Sequence, residues 1–156
     1  MIYATMPLFA TTGDTSLDYL TDYWREANKR WFRGKLKPIP IGINPAMRPM
    51  GQFVYNLGTK QTYIQVHADL LRHGLDNPRR YWNATGTLLH EMIHQYLHER
   101  VDWRISGHGV EFTEQCNRIG PDLGLGPVVA RKPRNRTAPL ARHWPRHIYP
   151  AKAVAS

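Results

Sequence analysis

The sequence predicts a small α+β domain in which helices pack on a short three-stranded sheet and one long helix lies at the centre. Three observations lead there. Helical periodicity runs from Thr15 and again from Asn77, three short β-type stretches lie between Ile39 and Val66, and 156 residues with 42% apolar side chains can bury one core but hardly two.

Residues 1–14 lack periodicity and read as a lead-in strand or loop. From Thr15 a helix starts well: Thr15 can cap, Asp18 follows three residues later, and Leu17, Leu20, Trp24, Ala27 and Trp31 recur at helical spacing, which assigns both tryptophans to the core. It should stop near Gly34, because Pro38 and Pro40 follow. Residues 39–43, 52–55 and 61–66 are the β candidates, and Asn56-Leu57-Gly58-Thr59-Lys60 between the last two suits a hairpin. His67 and His73 flank a short helical stretch, 68–72, and receive no functional role. Asn77-Pro78 opens the central helix, with Asn as the cap and Pro at the first helical position, and the helix should run from 78 to 98. Gly86 costs about 1 kcal/mol there relative to Ala, so it marks a close contact with a neighbouring element. Residues 99–107 form a connection, and a last helix over 110–119 ends at Gly120-Pro121.

The central helix carries His90-Glu91-Met92-Ile93-His94. A helix turns by about 100° per residue, so His90 and His94 project from one face and can converge on one ion, with Glu91 beside them. Neutral imidazoles suit zinc, and a carboxylate that does not ligate the ion can take a proton from water bound to it, as in a metallopeptidase. Leu89, Met92, Ile93, Tyr96 and Leu97 supply the apolar face that buries the helix. His98 lies too far along the axis to share the ion and reads as a surface or supporting residue.

Catalytic zinc takes three protein ligands, so the chain should offer a third. A metzincin would carry Gly and His where Leu97 and Arg100 stand, which excludes that class. Gly107-His108-Gly109 supplies the candidate: glycines on both sides let the backbone turn tightly and bring His108 to the ion. Three carboxylates, Glu99, Asp102 and Glu111, are available to orient a ligand histidine, and the sequence does not choose among them.

Leu88-Leu89-His90-Glu91-Met92-Ile93-His94, followed by Gly107-His108-Gly109-Val110-Glu111-Phe112 and Asn117-Arg118-Ile119-Gly120, resembles the SprT-like domain of bacterial SprT proteins and eukaryotic Spartan proteases. The resemblance covers about Thr15 to Pro121. It implies a small zincin-like domain of the minigluzincin type, one Zn²⁺ on His90, His94 and His108, and Glu91 as catalytic base. It also implies a DNA-activated protease that digests proteins, including those crosslinked to DNA, and an edge strand beside the active-site helix that pairs with the substrate backbone. Many such proteins carry a cysteine-rich zinc ribbon after the catalytic domain, which takes part in DNA binding, whereas residues 122–156 contain no cysteine. Either the basic tail takes over that task or the protein does not depend on DNA; both readings stay open.

Charge divides the chain into a domain, residues 1–122, and a basic tail, residues 123–156. The tail holds seven basic residues, Arg131, Lys132, Arg134, Arg136, Arg142, Arg146 and Lys152, and no acidic one; the preceding part holds 14 basic and 12 acidic residues of the total behind the net +9. Basic runs attract phosphate backbones by counterion release, and Trp144 and Tyr149 can stack on bases, which favours nucleic acid, single-stranded or damaged DNA, over a merely solvated tail. No secretory signal or apolar run of membrane-spanning length is seen, so a cytoplasmic protein is expected, on the nucleoid if bacterial or phage. The lone Cys116 forbids an internal disulfide and reads as a small buried residue. Two rivals to the peptidase remain: a nucleic-acid-binding module with a structural zinc, and a metallohydrolase of another amide.

Overall fold

The computed structural model describes residues 15–71, 84–105 and 107–128. Helix α1, Thr15–Phe32, buries Leu17, Leu20, Trp24, Ala27 and Trp31, the stripe that periodicity assigns to the core. It ends where Arg33 and Gly34 both take positive φ, and the Gly34 amide reaches back to the Asn28 carbonyl at 2.9 Å. The Asn28 side chain then clasps both the amide and the carbonyl of Leu36, each at 3.1 Å, and turns the chain toward the sheet.

Among the described residues the sheet has three strands, β1 (Ile41–Asn44), β2 (Gly51–Tyr55) and β3 (Thr62–His67), in the order β1-β3-β2. β1 runs parallel to β3, Ile41 opposite Ile64, and β2 runs antiparallel to it, Phe53 opposite Ile64. The hairpin between β2 and β3 is set by Asn56, whose Oδ1 accepts from the amides of Gly58 and Thr59 at 2.9 and 3.1 Å. The stretch after β3 is shorter than the sequence predicts: one 3-10 turn, Ala68–Leu70, capped by His67 Nδ1 accepting from the Asp69 amide at 3.0 Å.

Helix α2, Ala84–Arg100, carries the motif, and every residue from Ala84 to Gln95 is buried. It runs past the expected end at 98; the expected start at Asn77-Pro78 falls outside the described residues, and so does the whole basic run from Arg131 to Lys152, Trp144 included. A helix buried on all sides must be central, and α2 packs against α1, β2, β3 and helix α3, Val110–Ile119. Gln95 is partnered in the interior: it accepts from Trp24 Nε1 at 3.1 Å and donates to the Lys37 carbonyl and to Glu99, each at 2.8 Å.

The chain does not stop being helical at Gly120-Pro121. A 3-10 turn, Gly120–Leu123, follows α3 directly, because proline is compatible with a first helical position and Gly124, at φ 69°, supplies the left-handed closure. Leu123, Leu125 and Val128 pack on the core, and Asn117 clasps Val128 through both its amide and its carbonyl at 2.8 and 3.0 Å.

Candidate metal centre

Four elements meet at one point. α2 presents His90 and His94 one turn apart, α3 presents Phe112, the turn before α3 presents His108, and β2 lies across the mouth. The three imidazoles come together: Nε2 of His108 lies 2.8 Å from Nε2 of His90 and 3.1 Å from Nε2 of His94. Two nitrogens on a tetrahedral zinc at about 2.0–2.1 Å would be roughly 3.3 Å apart. An imidazole nitrogen carries one hydrogen or one lone pair, so His108 can satisfy one of these neighbours but not both; a cation among three lone pairs satisfies all of them. His90, His94 and His108 can therefore hold a metal ion.

The rings are fixed from below by Phe112, itself 1% exposed, whose centroid lies 4.7, 4.6 and 4.6 Å from those of His90, His94 and His108. Sequence reading left Phe112 without a role; its position one turn after His108 was the available signal. Burial pushes His94 down to about 3, and the neighbouring His108 adds to the shift, so its imidazole is neutral, the form a metal requires. The glycines around His108 are not there for the reason the sequence suggests. Gly109 has φ −77° and ψ −156°, open to any residue, and a Cβ at Gly107 would meet nothing within 4 Å.

Glu91 is 5% exposed, and its Oε2 accepts from the Phe53 amide at 2.8 Å. Burial pushes its carboxyl up to about 8, against the opposing pull of that amide. The amide is free to donate because of strand parity: Met50 and Asn56 bond across to His67 and Gln61, so Gly51, Phe53 and Tyr55 turn their backbone groups to the outer edge of β2. Close approach of strand and helix depends on Gly51, where a Cβ would lie 2.4 Å from Thr87 Cγ2 and 2.7 Å from Glu91 Oε1. β2 is thus the strand that borders the cleft, a hollow of about 680 Å³ lined by both motif histidines, Glu91 and His108.

The other residues singled out in the sequence are engaged elsewhere or lie on the surface. Asp102 pairs with Arg104, Oδ1 at 2.9 Å from Nε, which holds its carboxyl down to about 2. Glu99 accepts from Gln95 and from the Lys37 amide, and Glu111 is exposed in the first turn of α3. His98 is on the cleft wall, its ring 4.4 Å from that of Tyr55. Cys116 is buried, and burial pushes its thiol up to about 12, away from any thiolate chemistry.

Residues 20–131 match the SprT-like family model. The chain belongs to the SprT-like family. Over 119 residues it is 30% identical to the DNA-dependent metalloprotease SPRTN of Rattus norvegicus, and to the same degree to that of Mus musculus. The alignment takes in 75% of this SprT-like chain but 23% of each relative, so the chain spans under a quarter of the length of those curated proteins. Among the described residues no helix is long and apolar enough to cross a membrane.

Proposed function

We propose that this SprT-like chain is a zinc-dependent endopeptidase with a zincin-type fold, in which His90, His94 and His108 hold one Zn²⁺ and Glu91 is the base. The observation that carries the reading is the meeting of three imidazole nitrogens beside a buried carboxylate at the edge of a strand. Zinc held by the three histidines would supply Lewis-acid polarisation of the scissile carbonyl and of a water molecule. Glu91 accepts the proton of the attacking water and delivers it to the leaving amine. Its ionised form, disfavoured by burial alone, is restored by a cation next to it. The outer edge of β2 pairs with the backbone of an extended substrate, giving affinity with little dependence on sequence.

The substrates we propose are proteins bound or crosslinked to DNA, in the cytoplasm, and on the nucleoid if the source is bacterial or phage. Two things support this: the relatives are DNA-dependent metalloproteases by name, and residues 123–156 carry seven basic and no acidic residues. A structural zinc is the weaker alternative, because such sites usually have four protein ligands, and among the described residues the cluster holds three. Degradation of a DNA-bound protein, with and without DNA and with and without chelator, tests the reading. Loss on chelation and stimulation by DNA are expected; chelator-insensitive cleavage or none at all would overturn it.

A further inference from the structure

Beyond the reacting groups, one wall of the cleft is aromatic. Tyr55 at the end of β2 packs against His98, one turn beyond His94, with centroids 4.4 Å apart, and Phe53 packs on the same imidazole at 5.4 Å. Trp103 meets Tyr55 edge-on at 6.1 Å and remains 55% exposed, and Leu57 in the hairpin is 61% exposed; both line the same hollow as Glu91. The loop bearing Trp103 is anchored: the Trp103 carbonyl lies 3.3 Å from His98 Nδ1, and the Ile105 amide donates to the Asp102 carbonyl at 3.0 Å. Tyr55, Trp103 and Leu57 thus form an open apolar shelf, continuous with the strand edge and the proposed reaction centre. Glu91 is the only carboxylate that lines the cleft among the described residues.

We infer that this shelf is a side-chain subsite that selects a large apolar or aromatic residue of an extended peptide next to the scissile bond. The inference rests on the peptidase reading above and adds to it a class of substrate segment. Side chains of this kind are buried in folded proteins. A cleft that needs one, and that also takes its backbone as a strand, admits chain segments that are unfolded or locally opened and passes over intact surfaces. Trp103 and Leu57 are more than half exposed, so the shelf encloses a side chain only in part and its selectivity should be about tenfold, the low end of what a hydrophobic pocket gives per group.

The test uses the zinc-loaded chain, residues 1–156, and a set of peptides identical except at one position, which holds Trp, Leu, Gly or Asp. Wild type should cleave the Trp and Leu peptides with kcat/KM about tenfold above the Gly peptide, the difference falling mainly on KM. Trp103→Ala should bring that ratio close to one, and Trp103→Phe should keep most of it. A ratio that is the same in wild type and Trp103→Ala, or a wild type with no apolar preference, overturns the subsite. If Trp103→Ala instead weakens single-stranded DNA binding and leaves the peptide ratio alone, the shelf is a base-stacking platform and the inference is also overturned. Cleavage of none of the peptides by the wild type would sink the peptidase reading itself, a result separable from the others.

Discussion

The backbone amide of Phe53 donates to Glu91 Oε2 at 2.8 Å, which ties an edge strand of the sheet to the acidic residue of the central helix. Through this bond the strand edge and the carboxylate become one unit: where β2 sits determines where Glu91 points. The contact is possible only because residue 51 has no side chain to keep strand and helix apart.

Gly51→Ala should therefore act on stability and on activity together. Its Cβ would land on Thr87 and Glu91, both buried, and overpacking of this kind typically costs about 1–3 kcal/mol. Denaturant unfolding is expected to show that loss, and cleavage should fall more than stability does because Glu91 is displaced. Wild-type values for both would mean that β2 does not position the carboxylate.

Phe112→Leu should loosen the histidine cluster while the core stays filled. The phenyl ring touches all three imidazoles, and residues that orient metal ligands typically contribute 10–100-fold in metal affinity. Competition with a chelator should show zinc held about tenfold more weakly in a variant that still unfolds cooperatively. Unchanged affinity would reduce Phe112 to a packing residue.

The metal-free protein should show two opposed pH dependences. His94 is lowered from 6.5 to about 3, so the unfolded chain binds more protons than the native one between those values, and stability from this group is lost as pH falls from 6.5 toward 3. Glu91 is raised from 4.5 to about 8, so its contribution is present below 4.5 and is lost as pH rises through 8. Metal-free Glu91→Gln should accordingly gain stability over wild type as pH rises from 5 to 8, by a few kcal/mol at most. Parallel stability curves for the two proteins would contradict the burial argument for Glu91.

Much of this was legible in the sequence, for identifiable reasons. Leu17, Leu20, Trp24, Ala27 and Trp31 repeat at the helical period, and that period is local information, so α1 could be placed to within a residue or two. His90 and His94 share a helix face by the same rule, and stoichiometry alone required a third donor such as His108. Long-range contacts were not legible. Nothing local sets β3 between β1 and β2, or brings Gly51 against a carboxylate on another element. Glu99 illustrates the same limit, since it meets the Lys37 amide from a distant part of the chain, whereas Asp102 pairs with Arg104 only two residues away. Glycines flanking His108 suggested a steric need that the backbone angles do not show.

If the basic tail binds nucleic acid, affinity for single-stranded DNA should fall steeply with salt. Five to seven phosphate contacts would give a slope of log affinity against log salt between about −3.5 and −5. Removing residues 131–156 should abolish most of the binding and flatten that slope. Binding indifferent to both changes would remove DNA from the account.

The most direct test compares wild type with Glu91→Gln for zinc content and for cleavage of an unfolded protein. The account expects one zinc per chain in both and cleavage in the wild type alone, because His90, His94 and His108 hold the ion without the carboxylate while the proton has no other acceptor. Equal cleavage by the two proteins would contradict it.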